Sequence, residues 1–129
     1  MIETVVGIII KEGAVLLGQR KETSLYPLKW EFPGGKVEKN ESIENCLKRE
    51  LKEELNLDIK SCELYHQQFA EYKDSGKFFV HYYLINLKNE NVRNLAFKQI
   101  AWIPISELKE FDILEGNKNV VKKLISDYE

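Results

Sequence analysis

Cysteine, proline, methionine and histidine are all scarce in this chain of 129 residues, which holds two, three, one and two of them. The two cysteines, Cys46 and Cys62, are too few for a disulfide scaffold and have no metal-ligand spacing. They read as free thiols of a protein kept in a reducing cytoplasm. His66 and His81 are likewise unpaired by any metal-like spacing and read as strand residues rather than as ligands or bases. No stretch approaches the roughly 20 apolar residues of a membrane span. The apolar segment from Ile2 to Ile10 has neither a basic start nor a small-residue cleavage site, so it does not read as a signal peptide. Basic runs are absent and the net charge is −2, which argues against a polynucleotide partner, because such binding draws on clustered Lys and Arg. There is no internal repeat, low-complexity tract or linker.

What is present suits a soluble domain with a core of its own. Apolar residues make up 43% and charged residues 31% of the chain, and this length supports one domain over residues 1–129. Two aliphatic stretches, Val5 to Lys11 and Ala14 to Arg20, flank Glu12-Gly13 and predict a hairpin. Trp30 to Lys36 predicts an extended entry into a tight glycine turn at Gly34-Gly35. A helix is predicted from about Ser42 to Leu55, capped by Asn40 or Ser42. Ile43, Leu47, Leu51 and Leu55 form its apolar stripe. Lys60 to Tyr72 and Lys77 to Leu87 predict a second hairpin turning at Asp74-Ser75-Gly76. Gln99 to Pro104 predicts a strand, Ser106 the cap of a short helical turn, and Val120 to Tyr128 a closing helix. This order of elements is that of an α/β or α+β fold with a mixed sheet.

The central helix carries more than its stripe. Glu50, Glu53 and Glu54 stand at i, i+3 and i+4 and therefore share one face. They lie in the last turns, where the macrodipole is negative. Lys48, Arg49 and Lys52 neutralise part of that charge, and such a face is ordinarily just solvated. A hard divalent cation would relieve both the mutual repulsion and the dipole penalty, since Mg²⁺ is held by a few carboxylate oxygens, retained water and substrate phosphates.

The full spacing gives that face a sharper meaning. Gly35, Glu41, Arg49-Glu50-Leu51, Glu53-Glu54 and Asn56-Leu57 follow the pattern G-x5-E-x7-R-E-U-x-E-E-x-G-U, with U a bulky aliphatic. This resembles the Nudix box, and the flanking W-E-F-P-G-G-K-V-E resembles the MutT branch of that family. One position departs: Asn56 replaces the glycine that ends the helix in the left-handed region, and Asn is the next most tolerant residue there. The resemblance implies an α/β/α sandwich, with the box helix and the C-terminal helix on opposite faces of a mixed sheet. It also implies hydrolysis of a nucleoside triphosphate to the monophosphate and pyrophosphate, with Mg²⁺ as cofactor and Mn²⁺ as an alternative.

By the same resemblance, Glu50, Glu54 and the Gly34 carbonyl are metal ligands, and Glu53 is a ligand or the general base. Arg49 orients the glutamates, while Gly35, Glu41 and Asn56 shape the box. Arg20 either ends its strand as a solvated charge or contacts the phosphates. Phe32 plugs the core, lies near the base, or does both. Asn117 either caps the last helix or reads the base of an oxidised guanine nucleotide; cytidine-preferring relatives tend to carry aspartate there. A helper glutamate that relatives carry before the late-strand tryptophan has no counterpart, since Ala96 stands six residues before Trp102. The substrate implied first is 8-oxo-dGTP, then CTP, dCTP or a modified pyrimidine nucleotide. A non-catalytic nucleotide sensor is the reading from another class, and on any of these readings the chain is expected to be a monomer or homodimer.

Overall fold

The computed structural model describes residues 1–128. Its pivot is β1 (Ile2–Ile8), whose alternate side chains are buried on both faces: Val5 with Leu47 and Leu51, Val6 and Ile8 with Val120 and Leu124. The buried half of β1, Val5 to Ile8, is accordingly free of polar side chains, as burial on both faces demands. The chain continues through β2 (Ile10–Lys11), β3 (Ala14–Gln19), β4 (Trp30–Glu31) and β5 (Gly34–Lys36) to helix α1 (Ile43–Leu55). There follow β6 (Ile59–Tyr72), β7 (Gly76–Leu87), β8 (Gln99–Pro104), two 3-10 turns (Ile105–Glu110 and Glu115–Asn117) and helix α2 (Lys118–Tyr128).

One mixed sheet has the order β5-β1-β7-β6, with β1 antiparallel to β5 and parallel to β7. A second sheet joins β3 to β2, β4 and β8. Helix α1 packs on one side with Val5, Ile9 and Leu16, and α2 on the other with Val6, Ile8, Val15 and Leu17. The architecture is therefore an α/β sandwich around one mixed and one antiparallel sheet. Among the described residues no helix is long and apolar enough to cross a membrane.

Three local expectations are corrected. The strand expected over Val5 to Lys11 breaks at Ile9, so β1 enters one sheet and β2 the other. Only its end forms the hairpin with β3, through left-handed Glu12 (φ 51) and Gly13 (φ 77), the backbone that a two-residue turn of right-handed twist requires. The Gly34-Gly35 pair is not a turn but strand β5. Glycine is needed there for close approach: a Cβ on Gly34 would lie 2.1 Å from the Val5 carbonyl oxygen, and one on Gly35 2.3 Å from the Glu50 carboxyl carbon. Ser106 is not a cap, because the 3-10 turn begins at Ile105 after Pro104 and has no side-chain cap.

Helix α1 is closed at both ends by its own sequence. Ser42, rather than Asn40, caps it, its Oγ accepting from Asn45 N at 3.1 Å. Asn56 is left-handed (φ 57, ψ 36), and its N–H donates to the carbonyls of Leu51 and Lys52. Because a Cβ-bearing residue without a local polar side chain resists this conformation, Asn56→Ala is expected to cost about 1 kcal/mol, while Asn56→Gly costs nothing measurable. Urea midpoints check this, and equal midpoints for the alanine variant and the parent would contradict it.

Candidate functional site

The box residues meet where the second half of α1 passes behind β5. Arg49 is the hub. Its Nε and Nη2 donate to Glu41 Oε2 and Oε1 at 2.8 and 3.0 Å, a bidentate pair. Its Nη1 reaches Glu50 Oε1 at 2.8 Å and Glu53 Oε2 at 3.3 Å, and Nη2 also donates to the Lys36 carbonyl at 3.3 Å. Such planar, charge-assisted pairing fixes direction as well as distance. Glu41 also accepts from the Glu38 N–H at 3.0 Å, which ties the loop before α1 to the helix. The Arg49 guanidinium and that N–H hold the Glu41 carboxyl down at about 2. Lys52 takes no part in this cluster and lies beside Asp58 instead.

Glu54 is placed differently. Its Oε1 accepts from the Gly34 N–H at 3.0 Å. On β5, residues 33, 35 and 37 bond to β1, as Gly7 N to Pro33 O and Val37 N to Glu3 O. Antiparallel alternation therefore turns the Gly34 N–H and carbonyl outward together, off the ladder and toward α1. Burial raises Glu54 to about 8; Glu50, Glu31 and Glu53 add like charge, and the Gly34 N–H opposes the shift. Glu50 is also raised, first by burial, although Arg49 holds it.

These groups suit a hard cation. The carboxylates of Glu50, Glu53 and Glu54 and the outward Gly34 carbonyl are all oxygen donors, and the raised Glu50 and Glu54 mark negative charge that a cation would relieve. Among the described residues, no three Asp, Glu, His or Cys side chains are grouped closely enough to hold a metal ion by themselves. Glu50 and Glu53 lean to Arg49 while Glu54 turns to Gly34. An open array of this kind fits Mg²⁺, which keeps waters and shares substrate phosphates rather than sitting in a dedicated all-protein cage.

Gly34, Gly35 and Glu54 line a cavity of about 500 Å³ that also holds Arg20, Phe32 and Asn117. Phe32 is buried at its wall with its ring edge-on to Tyr82. Arg20 lies just past β3, donating from Nη1 to Glu31 Oε2 at 2.9 Å and from Nε to the Leu25 carbonyl at 2.7 Å. Asn117 is only 6% exposed. Its side chain does not cap α2: Oδ1 accepts from Phe32 N at 3.3 Å and Nδ2 donates to Tyr82 Oη at 3.0 Å.

Four further residues line the cavity. Glu31 is a carboxyl raised by burial despite its Arg20 partner. The Tyr72 and Tyr26 rings pack at a 41° tilt with centroids 5.0 Å apart, and Tyr26 shares a hydrogen bond with Ser75 at the tip of the β6–β7 hairpin. Tyr82 reaches the cavity from β7. The period-two parity of Phe78, Val80 and Tyr82 was the available signal for that face. The loop is exposed at Ala96, Leu95 N bonds to Glu54 O, and the Phe97 ring lies against Gly18. His66 and His81 are strand residues outside the cavity, His81 lying between Gln67 and Glu3. Both thiols are free, and burial pushes Cys46 up to about 12.

Glu54 makes stability pH-dependent with a definite sign. Its folded value, about 8, lies above its ordinary 4.5. Below 4.5 both states hold the proton. Above it the unfolded chain releases the proton while the folded chain keeps it, so stability falls as pH rises, and the loss is complete above about 8. With chelator present, the melting temperature of the parent should fall across this window more steeply than that of Glu54→Gln. Equal slopes in calorimetry would contradict the assignment.

The profile of the NUDIX domain matches residues 1–124. The chain is 31% identical over 120 residues to the 8-oxo-dGTP diphosphatase of Buchnera aphidicola subsp. Schizaphis graminum, covering 93% of this chain and 90% of that one. It is 50% identical over 58 residues to the CTP pyrophosphohydrolase of Escherichia coli, covering 45% and 43%. Its fold matches a solved MutT structure described for Aliivibrio salmonicida and Vibrio cholerae, with TM-score 0.83 and 27% identity over 98% of both chains.

Proposed function

The chain belongs to the NUDIX family of hydrolases that act on phosphorus-containing anhydrides, and from that premise we propose that it is a Mg²⁺-dependent nucleoside triphosphate pyrophosphohydrolase whose substrate is 8-oxo-dGTP. The observation that carries this reading is the shared cavity, which Gly34, Gly35 and Glu54 line together with Phe32 and Asn117. A triphosphate and its base can thus be held at once, with the anhydride near the carboxylates and the base beside the amide.

Glu50, Glu53, Glu54 and the Gly34 carbonyl are the residues that would hold Mg²⁺. When bound, the ion neutralises polyphosphate charge and makes water a better nucleophile at neutral pH. Arg49 holds Glu50 in a fixed direction, so its oxygens need little reorganisation when charge develops. Glu53, with its side chain 59% exposed and a single 3.3 Å contact to Arg49, is the carboxylate freest to take a proton from the attacking water, or else to serve as a further ligand. Arg20 offers the phosphates a guanidinium already held at the cavity wall. Water adds at the β-phosphorus and the bond from that phosphorus to the α–β bridging oxygen breaks. The nucleoside monophosphate leaves with that oxygen, and pyrophosphate carries the oxygen from water.

A second reading, a cytidine triphosphate pyrophosphohydrolase, draws on the 50% identity to the Escherichia coli CTP enzyme. It uses the same carboxylates and differs only in the base. The amide at Asn117, which can both donate and accept, favours the oxidised purine.

Pyrophosphate release from 8-oxo-dGTP, dGTP, dCTP and CTP, with and without Mg²⁺, tests the proposal. The expected result is Mg²⁺-dependent turnover with the highest kcat/KM for 8-oxo-dGTP. Highest kcat/KM for a cytidine nucleotide would support the second reading, and binding without turnover of any would support a sensor. Glu54→Gln should lower kcat by about 100-fold or more, since metal charge stabilisation is worth several kcal/mol, while leaving the circular dichroism spectrum unchanged. Full activity in that variant would remove Glu54 from the metal site.

A further inference from the structure

The amide of Asn117 is held at both ends by groups that work in only one direction. Phe32 N is a backbone N–H and can only donate, so the end facing it at 3.3 Å is the oxygen. The Tyr82 hydroxyl has one proton and donates it to the Gly116 carbonyl at 2.9 Å. Toward Asn117 it is therefore only an acceptor, and the end facing it at 3.0 Å is the nitrogen. Flipping the amide would set N–H against N–H and carbonyl oxygen against a hydroxyl oxygen with no proton to give, in a setting where Asn117 is 6% and Tyr82 0% exposed. Unmade contacts are costly in such a place.

The supports are themselves fixed. Gln68 Nε2 also donates to the Gly116 carbonyl at 2.9 Å, and the Gly116 N–H donates to Tyr72 Oη at 2.6 Å. A Cβ on Gly116 would lie 2.2 Å from that hydroxyl, so the segment sits close against the end of β6. Burial holds the Tyr82 hydroxyl well above its ordinary value, which keeps its proton in place.

Each end of the amide has one valence left, a second Nδ2 proton and a second Oδ1 lone pair, and Asn117 lines the cavity. Resting on the 8-oxo-dGTP reading above, we propose that Tyr82 is a positioning residue that fixes which end of Asn117 donates and which accepts, and so sets selection for a purine whose Hoogsteen edge pairs a ring N–H with a carbonyl. Ordinary guanine presents two acceptors there, N7 and O6. Oxidation at C8 places a proton on N7 and turns one acceptor into a donor. An amide locked in one orientation meets that edge in one pose. An amide free to turn offers donor and acceptor in either order and admits more edges.

The test uses the parent, Tyr82→Phe, Asn117→Ala and the double variant. Phenylalanine keeps the ring and removes only the hydroxyl. Tyr82→Phe should lower the ratio of kcat/KM for 8-oxo-dGTP over dGTP by about tenfold, the worth of roughly one hydrogen bond, through KM with kcat nearly unchanged. On the Asn117→Ala background the same substitution should change the ratio no further. An unchanged ratio in Tyr82→Phe beside a changed one in Asn117→Ala overturns the proposal. A parent with no preference for 8-oxo-dGTP overturns the substrate reading instead. The lock is then judged without substrate, by the side-chain ¹⁵N order parameter of Asn117. It should be near that of rigid backbone, about 0.85, in the parent and below about 0.6 in Tyr82→Phe. A low value in the parent, or no change in the variant, overturns the lock.

Discussion

The guanidinium of Arg49 is shared by the carboxylates of Glu41, Glu50 and Glu53 and by the Lys36 carbonyl, and the geometry of the whole charged region depends on this sharing. Two carboxylates about 4 Å apart at an effective dielectric near 20 repel by about 4 kcal/mol, and the C-terminal turns of a helix add a further penalty. Arg49 offsets this without neutralising the face, because it is one cation among several acids. It also reaches backward, through Glu41 and Lys36, to hold β5 and the loop before α1 against the helix. Gly35 is small enough to admit the Glu50 carboxylate. Gly34, turned the other way, gives its N–H to Glu54. Helix, strand and loop are thus aligned by charge before any cation binds.

Charge left over is what the fold sets aside for function. Glu54 is held by one N–H and no cation, and burial pushes it to about 8. Such a carboxylate weakens the metal-free protein at neutral pH, and a cation bound beside it would relieve part of that cost. The apolar parts of the molecule keep this arrangement rigid. Val5 and Leu16 seat α1 from below, while Val6, Ile8 and Tyr82 form the opposite core, from which Phe32 and Asn117 reach the cavity. Strand β1, buried on both faces, joins the two cores.

Much of this was legible in the sequence because it is local. The stripe of Leu47, Leu51 and Leu55, a cap at Asn40 or Ser42, the left-handed Asn56 and the carboxylate spacing on α1 all depend on neighbours within a few turns. What could not be read depends on distant pairing. Nothing in Val5 to Lys11 tells that the strand changes sheets at Ile9, since both halves are equally aliphatic. Gly34-Gly35 looks like a turn until Val5 and Glu50 are seen to fill the space where side chains would be. Asn117 satisfies the local rule for a helix cap, yet its amide is claimed by Phe32 and Tyr82, which are 85 and 35 residues away. Glu31 and Tyr82 fell outside the reading because each looks like an ordinary strand residue until the cavity brings them to Arg20 and Asn117.

The central claim is that this cavity positions a triphosphate for water to attack its β-phosphorus beside the α1 carboxylates. Hydrolysis of 8-oxo-dGTP in ¹⁸O-labelled water with Mg²⁺, followed by mass analysis of both products, tests it most directly. The account predicts a single ¹⁸O in pyrophosphate and none in the monophosphate. Label in the monophosphate, or release of orthophosphate in place of pyrophosphate, would contradict it.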